Sequence, residues 1–368
     1  MKRLFSIFLT LKKLGVENVI FMAWYRFTLK SGLRRFRFKI RAFVPQGDFF
    51  LKTQKTVHFP EKWKDDLFVQ ANNLLEGKVL YFSFHLMKIG NPPEWFLNPF
   101  SEKEHPGYEK HWTRLHDFQT GAGDIKTIWE VNRFQWTGVL ARAYKVSGSE
   151  KYLDLLNSWL SDWLKRNPLN QGPNWRCGQE SSIRLLHLIN TAYILQEHRS
   201  LTPAIMDFIY ASLDRISKNN RYAISQNNNH GTSEAAGLYL GGRLLEIQKS
   251  SRYPKASKYA NKGRKLLEER IRNLVSDQGS FSQHSVNYHR VMLDTISFCE
   301  FWRKETSDSL FSTGFYRKAN AAVNWACHLT DNYSSHAPNL GANDGSLLLS
   351  YHSLPYEDYS SSIHFASA

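Results

Sequence analysis

The most constraining feature of this 368-residue sequence is an alternation between two kinds of connection along a series of helices. From about residue 129 onward, apolar residues recur at three-to-four spacing, which predicts one helix after another. Short Lys-, Arg- and Ser-rich links near residues 197–202, 249–254 and 304–314 alternate with longer polar stretches. The polar stretches are NPLNQGPNWRCGQE at 167–180, SQNNNHGTSE at 225–234, SDQGSFSQHSVNYHR at 276–290 and APNLGANDGS at 337–346.

This alternation predicts the fold class. Helices are predicted at 129–143, 152–163, 179–196, 203–218, 232–248, 255–275, 288–304 and 315–330. The helices that follow the first three polar stretches begin roughly 55 residues apart, so each repeat is a helical hairpin. In a chain of antiparallel hairpins, every second connection lies at the same end of the assembly. The sequence therefore predicts an all-α fold, an α/α toroid, with the polar stretches around one mouth.

The charge distribution separates an N-terminal segment, residues 1–50, from a main domain, residues 51–368. The net charge is +15, but residues 1–41 carry eleven Lys or Arg against one acid, Glu17, and the rest of the chain carries only +5. No zinc-finger, RNP or phosphate-loop motif is present, so we expect no nucleic-acid partner. The basic amphipathic segment is compatible with contact to an anionic membrane surface or an acidic polymer. It is equally compatible with a helical lead-in packed on the body. A short signal stretch at Leu4 to Leu11 is less favoured, because Lys12 and Lys13 follow directly and no small-residue cleavage site is visible.

The polar stretches are rich in amides, imidazoles and phenols rather than in carboxylates. Their candidate site residues are Asn174, Trp175, Arg176, Glu180, Asn229, His230, Glu234, His284, Tyr288, Arg290, Asn343 and Asp344. Glycoside hydrolysis requires two carboxyl groups flanking the scissile bond. Glu180 and Glu234 are available, but each stands in the first turn of a predicted helix, where carboxylates commonly interact with the helix dipole. The residue set therefore fits hydrolysis poorly. The aromatic content of 14% exceeds what a core of this size usually needs, which favours a sugar ligand.

β-Elimination from a uronic acid suits these residues better. A base removes the proton next to the carboxylate, and an acid protonates the leaving oxygen. Because negative charge develops on the carboxyl group, neutral or cationic donors such as Asn, His and Arg must stabilise it. Tyr288 is the best-placed phenol, and a phenol serves as both base and acid if nearby cations lower its pKa from about 10.

Metal and nucleophilic chemistry are weaker alternatives. His230 and Glu234 are four residues apart, but a zinc-protease motif needs a second His at that spacing. No GxSxG motif or Cys/His arrangement indicates a nucleophile. We therefore expect neither a metal nor a cofactor.

Four stretches give the sequence a specific resemblance. They are PNWRCGQESSIRLLHL at 173–188, NNNHGTSEAAGLYLGG at 227–242, DQGSFSQHSVNYHRVMLDT at 277–295 and PNLGANDGS at 338–346. Over about residues 50–365 the sequence resembles the heparinase II/III family of polysaccharide lyases, most closely the heparinase III type. The resemblance implies an incomplete α/α toroid followed by a β-sandwich. No strand-rich segment follows the last polar stretch, so we expect the toroid part with the sandwich missing.

The resemblance also implies roles for individual residues. Asn229, with His230 beside it, would neutralise the uronate carboxylate, and Tyr288 would be the catalytic acid and base. The expected substrate-binding residues are Arg176, Glu180 and His284 from the resemblance, and Asn174, Trp175, Arg290 and Asn343 from their place in the polar stretches.

Two functional hypotheses follow. The first is a lyase that cleaves a uronic-acid-containing acidic polysaccharide by β-elimination, and the family implies a periplasmic or secreted location for it. The second is a non-catalytic toroid that binds an acidic glycan during exopolysaccharide processing. Turnover separates the two.

Overall fold

The computed structural model describes residues 15–44, 47–52, 57–119, 122–349 and 354–368. The candidate signal stretch at Leu4 to Leu11 lies outside the described residues. Four helices precede the repeated hairpins: α1 (Val16–Lys30), α2 (Leu33–Arg37), α3 (Lys64–Leu75) and α4 (Lys126–Asn132). No helix in the described ranges has the length and apolar character needed to cross a membrane.

Three small antiparallel ribbons lie between α3 and α4. They pair β1 (Lys78–Tyr81) with β2 (His85–Lys88), β3 (Leu97–Asn98) with β4 (Lys103–Glu104), and β5 (Phe118–Gln119) with β6 (Gly123–Asp124). In the first ribbon Val79 stands opposite Met87. Each of the three contains two strands, so within the described ranges none of them extends into a larger sheet.

Eight helices form the repeated part, and a ninth closes the chain. They are α5 (Gln135–Ser147), α6 (Glu150–Arg166), α7 (Gly178–Ile194), α8 (Pro203–Ser225), α9 (Asn229–Ile247), α10 (Ala256–Leu274), α11 (Val286–Glu305), α12 (Thr313–Leu329) and α13 (Ser360–Ser367). Their bounds confirm the hairpin repeat that the sequence predicts.

The repeated helices form two layers. α5, α7, α9 and α11 make an inner row, because each contacts the next member of the row. α6, α8, α10 and α12 lie outside them, each against its own inner partner. The inner helices α7 and α9 are buried along nearly their whole length, whereas α10 has one buried stripe and one exposed face, as expected for an outer layer. This is the incomplete all-α toroid.

Close backbone contact holds one inner helix against its outer partner. A Cβ added to Gly263 of α10 would lie 2.2 Å from the Tyr239 backbone nitrogen, and one added to Gly242 of α9 would lie 2.4 Å from that of Ala260. Real Cβ atoms do not approach backbone this closely. Glycine at both positions therefore allows α9 and α10 to pack with their backbones in contact.

Two predicted helix bounds are wrong. The helix predicted at 129–143 is two helices, because Phe134 between α4 and α5 adopts a left-handed conformation with φ 69°. Phe134 itself is buried, so the break inserts its ring into the core. α8 extends to Ser225, seven residues beyond the prediction, because Asn219, Asn220 and Ser225 in its polar end are buried by neighbouring segments.

The tryptophans mostly build the core rather than a sugar-binding surface. Eight of the eleven are buried, among them Trp95, Trp159 and Trp163. Six of these eight donate the indole N–H to an internal acceptor. Trp95 donates to Asp162 at 2.7 Å, and Trp163 donates to the Asn132 side chain at 2.6 Å. The aromatic excess therefore indicates a ligand less directly than the composition suggested.

Candidate active site

The four polar stretches converge at one end of the toroid. The Asn229 N–H donates to Gln283 Oε1 at 3.1 Å, which joins the second stretch to the third. The Val286 N–H donates to the Leu340 carbonyl oxygen at 3.0 Å, which joins the third to the fourth. Cys177 Sγ of the first stretch lies 3.8 Å from His230 Nδ1. These contacts confirm the convergence that the hairpin topology predicts.

Two helix caps place the candidate catalytic residues in first turns. The Asn228 side chain caps α9 by accepting the His230 N–H at 3.1 Å. Ser285 caps α11 by accepting the Tyr288 N–H at 3.1 Å. Asn and Ser are favoured caps because their side-chain oxygens satisfy free N–H groups. Asn229, His230 and Tyr288 therefore all stand at helix ends that face the mouth.

Tyr288 belongs to a hydrogen-bonded cluster centred on Asp344. The Tyr288 hydroxyl donates to Asp344 Oδ2 at 2.9 Å, and Lys126 Nζ lies 3.0 Å from the same oxygen. Ser346 donates to Asp344 Oδ1 at 2.6 Å. Burial alone would raise the pKa of Asp344, but the Ser346 hydroxyl and the Lys126 ammonium outweigh it and lower that pKa to about 2. Asp344 is therefore an anion whose negative charge faces the phenol.

This arrangement differs from the expectation that cations lower the pKa of Tyr288. Burial, followed by the Asp344 carboxylate, raises the pKa of Tyr288 well above its ordinary value. In the free protein the phenol is therefore neutral and keeps its proton. Arg290 is a cation two residues from Tyr288 in the sequence, but its guanidinium lies against Tyr356 and Tyr359 instead. The carboxylate that contacts the Tyr288 phenol is that of Asp344, 56 residues away.

Asn229 and His230 keep donor groups available. Asn229 is 2% exposed, yet its side-chain amide makes no hydrogen bond within the part of the chain that the structure describes. Burial lowers the pKa of His230 to about 4, so its imidazole is neutral near pH 7. A neutral imidazole and a free amide donate hydrogen bonds without adding charge. Among the described residues, no three His, Cys, Asp or Glu side chains are grouped to hold a metal ion.

Glu180 belongs to a buried ion network rather than to the open surface. Arg133 donates to both Glu180 oxygens, at 2.8 and 3.1 Å, and to Glu130 at 2.8 Å. Glu180 is 2% exposed, so the structure does not place its carboxylate in contact with solvent. Arg133 and Lys126 were missed by sequence reasoning, because both lie outside the polar stretches. Only the topology brings α4 to the mouth.

A cleft of about 570 Å³ adjoins the Asp344 cluster. Lys126, Asp344 and Asn343 contribute polar groups to its wall. Four aromatic residues also line it, Phe82, Phe84, Tyr356 and Tyr359, and Asp124, Thr127, Asn339 and Glu357 add further polar groups. The Asn343 side-chain oxygen accepts from the Gly345 N–H at 2.9 Å and lies 2.7 Å from the Tyr356 hydroxyl. Tyr288, Asn229 and His230 do not line this cleft, and Asp344 connects it to Tyr288.

His284 stands at the rim of the mouth. It is exposed, has φ 50°, and its carbonyl oxygen faces Gly341, where an added Cβ would lie 2.2 Å away. Its side chain is therefore accessible beside the 337–346 stretch.

Four expected substrate-binding residues have side chains that are engaged within the fold. Asn174 and Trp175 are 0% exposed, and the Asn174 amide donates to Asn132 and Asn167 inside the core. Arg176 pairs with Asp117 at 2.6 Å. Arg290 is 1% exposed and stacks between the rings of Tyr356 and Tyr359. Burial or an internal partner occupies each of these side chains, and their role in substrate binding stays a prediction.

Replacement of Glu234 by Gln is expected to remove a pH-dependent loss of stability. Glu234 is 2% exposed, and burial raises its pKa to about 8 from an ordinary value of 4.5. A carboxyl whose pKa is raised in the folded state makes its full contribution to stability at low pH, where the folded and unfolded states are both protonated. That contribution is lost as the pH rises from 4.5 through about 8, because the unfolded state then ionises more readily than the folded state. The wild-type free energy of unfolding should fall relative to the variant by at most about 1.4 kcal/mol per pH unit.

Urea unfolding at several pH values between about 5 and 8 measures this difference. Glu109→Gln, at an exposed position, is the matched control and should show no such divergence. Parallel pH profiles for wild type and Glu234→Gln would show that Glu234 is ionised in the fold.

Helical hairpins in two layers, with polar loops and an aromatic-lined cleft at one mouth, define an α/α-toroid protein. The family described as heparinase II/III N-terminus matches residues 62–345, and the chain belongs to this family.

Two relatives are described as heparin-sulfate lyases. The one from Bacteroides thetaiotaomicron is 26% identical over 217 residues, which cover 56% of this chain and 28% of the relative. The one from Pedobacter heparinus is 25% identical over 177 residues, which cover 46% of this chain and 26% of the relative. The crystal structure of heparinase III matches 88% of this chain and 47% of its own, with a TM-score of 0.52 and 18% identity, which supports the fold. The chain thus spans less than half the length of these proteins.

Proposed function

We propose that this chain is a polysaccharide lyase that cleaves a uronic-acid-containing acidic polysaccharide by β-elimination. Membership of the heparinase II/III family supports the reaction class, since the relatives from both bacteria are described as heparin-sulfate lyases. The observation that carries the proposal is the cluster in which the Tyr288 phenol and the Lys126 ammonium meet at one Asp344 oxygen, beside an aromatic-lined cleft.

The elimination breaks two bonds and forms one double bond. A base takes the proton from the carbon next to the uronate carboxylate, and the electron pair left behind forms a carbon–carbon double bond. The neighbouring carbon–oxygen bond breaks with its pair on the oxygen, which takes up a proton. No oxidant, reductant or water is consumed, so the protein needs only an acid, a base and groups that stabilise the carboxylate.

In the proposal Tyr288 supplies the acid and the base, and Asn229 and His230 at the start of α9 stabilise the carboxylate. The neutral phenol of Tyr288 protonates the leaving oxygen. For the base role the phenol must first lose its proton, and Lys126, which shares its Asp344 partner, supplies the adjacent cation. The free amide of Asn229 and the neutral imidazole of His230 bind the carboxylate, where each well-placed donor contributes about 3 to 4 kcal/mol to the transition state.

The carboxyl groups of the mouth support elimination over hydrolysis. Glu180 is held by Arg133, and Glu234 is buried with a raised pKa. Asp344 accepts hydrogen bonds from three side chains. A hydrolase needs one carboxyl to donate a proton and another to act on water or on the sugar. Neither Glu180 nor Glu234 is accessible for that work.

A non-catalytic role in binding acidic glycan during exopolysaccharide processing is the second candidate. It is favoured by the bond between Tyr288 and Asp344, which keeps the phenol protonated in the free chain. In such a protein the cleft would bind the polymer without turnover.

Ultraviolet absorbance distinguishes the two candidates, because elimination leaves a double bond conjugated with the carboxylate. The purified 368-residue chain is incubated with a panel of uronate polymers, both sulfated and unsulfated. A steady rise in absorbance on at least one polymer is expected. Binding by calorimetry with no rise on any polymer would overturn the lyase and support the binding toroid.

A further inference from the structure

The helix α1, the first among the described residues, has a second apolar face that the other described residues leave exposed. Tyr25 and Thr28 are buried against the toroid. The opposite face carries an apolar stripe whose members are 55% to 64% exposed. This α1 stripe consists of Val16, Ile20, Trp24 and Phe27. The spacing of four, four and three residues places all of them on one side of the helix.

The buried face of α1 is specifically anchored, so the orientation of the helix is fixed. The Tyr25 ring stacks on Tyr222 of α8 with centroids 4.3 Å apart. Just beyond α1, Arg34 donates to Asn219 of α8 at 2.7 Å and lies over the Tyr25 ring. The contacts with α8 therefore leave the α1 stripe facing outward.

Unpaired cations lie in the same N-terminal segment as the α1 stripe. Residues 15–44 contain seven Lys or Arg and one acid, Glu17. Five of the cations are exposed and form no ion pair within the described ranges: Arg26, Lys30, Arg37, Lys39 and Arg41. Exposed aromatic and aliphatic residues bordered by free cations are typical of segments that lie on an anionic membrane surface.

A small basic cleft continues this face beyond α2. It has a volume of about 140 Å³, and its charged wall residues are Arg37, Lys39, Arg41, Asp214, Arg215 and Lys218. Asp214 is already paired with Lys218 at 2.5 Å. Phe36, which is 80% exposed, forms part of the wall and connects the cleft to the apolar surface.

Arg215, in the wall of the cleft, is a buried cation with unused donor groups. Its side chain is 1% exposed, and its Nε and Nη1 groups have no hydrogen-bond partner among the described residues. Nη2 donates to the carbonyl oxygens of Trp175 and Arg176, and the guanidinium also lies over the Trp112 ring at 4.2 Å and the Phe38 ring at 5.1 Å. Burying a guanidinium whose N–H donors have no acceptor costs free energy, and an anion that accepts from these donors would offset that cost.

We propose that the α1 stripe and the basic cleft form a docking surface for an anionic lipid membrane. The stripe enters the interfacial layer of the bilayer, where Trp and Phe side chains are favoured. The cleft takes the phosphate of an acidic lipid. An acidic polysaccharide would match the cations but offers no apolar layer for Val16 and Ile20. Leu169 and Asn170 of the first polar stretch also line the cleft. None of the residues assigned to the elimination belongs to this surface.

Vesicle flotation with the full chain tests the surface. One set of vesicles contains phosphatidylcholine alone, and the other contains phosphatidylcholine with phosphatidylglycerol. We expect binding to the anionic vesicles only, weakened by added salt. The Ile20→Ser/Trp24→Ser variant, and separately Arg37→Gln/Lys39→Gln/Arg41→Gln, should each lower binding at least about tenfold.

Matched variants control for general loss of apolar surface or charge. Leu310→Ser removes an apolar residue that is 68% exposed elsewhere, and Lys151→Gln/Lys249→Gln/Lys255→Gln removes three exposed lysines on other elements. Neither should change flotation. The proposal is overturned if the chain ignores anionic vesicles or if binding survives both test variants. It is also overturned if Arg37→Gln/Lys39→Gln/Arg41→Gln lowers affinity for uronate polymer but not vesicle binding. The same holds if Ile20→Ser/Trp24→Ser dissociates a dimer but leaves vesicle binding unchanged.

Discussion

Replacement of Tyr288 by Phe is expected to abolish elimination while leaving polymer binding nearly unchanged. The substitution keeps the ring and removes only the hydroxyl that donates to Asp344 at 2.9 Å. Loss of a general acid or base typically lowers the rate by about a hundredfold to ten-thousandfold. The change should appear in kcat, measured from the ultraviolet absorbance of the unsaturated product. Affinity measured by calorimetry should stay within about twofold, since the aromatic surface is retained.

Tyr356→Phe is the matched control for a phenol in the same region. The Tyr356 hydroxyl lies 2.6 Å from Asn287 Oδ1 and 2.7 Å from Asn343 Oδ1, and it contacts neither Asp344 nor Lys126. Its loss should weaken polymer binding more than turnover. Equal loss of turnover in both variants would assign the Tyr288 effect to the shape of the cleft. A Tyr288→Phe chain that keeps more than about a tenth of the wild-type turnover would place the acid elsewhere.

The sequence was most informative where topology alone decides position. Alternating connections must converge in a chain of hairpins, so the proximity of Asn229, Tyr288 and Asn343 could be predicted without any contact information. Burial could not be predicted in the same way. Asn174 and Trp175 lie in an equally polar stretch, but their side chains turn into the core, where Asn132 and Asn167 accept hydrogen bonds from the Asn174 amide nitrogen.

The charges of the mouth depend on elements that carry no local signal. Lys126 is the first residue of a seven-residue helix, and nothing in its neighbours marks it as functional. Arg133 stands at the break before Phe134, a break that the apolar spacing conceals. Both reach the mouth only because α4 packs beside it. The sequence was therefore enough to select Tyr288 as the candidate phenol. The charged groups around it could be identified only from the structure.

Replacement of Asp344 by Asn is expected to lower the pKa of Tyr288 and to change the pH dependence of turnover. Next to burial, the Asp344 carboxylate is the main reason that this pKa is raised, and Asn removes its charge while keeping an oxygen for the hydrogen bond. Lys126, released from its ion pair, then stabilises the phenolate. If the phenolate is the base, the rising limb of kcat/KM should move to lower pH by at least about one pH unit.

Comparison with a second variant isolates the titration of this phenol. The difference in tyrosinate absorbance between Asp344→Asn and Asp344→Asn/Tyr288→Phe reports Tyr288 alone. Ser346→Ala is the control, because it removes a hydrogen bond from Asp344 but leaves the carboxylate facing the phenol. In Ser346→Ala the rising limb of the kcat/KM profile should stay at its wild-type pH. A limb that stays in place in Asp344→Asn, while the phenol absorbance does move, would mean that Tyr288 serves only as the acid. Another group must then remove the proton from the uronate, and the free imidazole nitrogen of His230 is the next group to test.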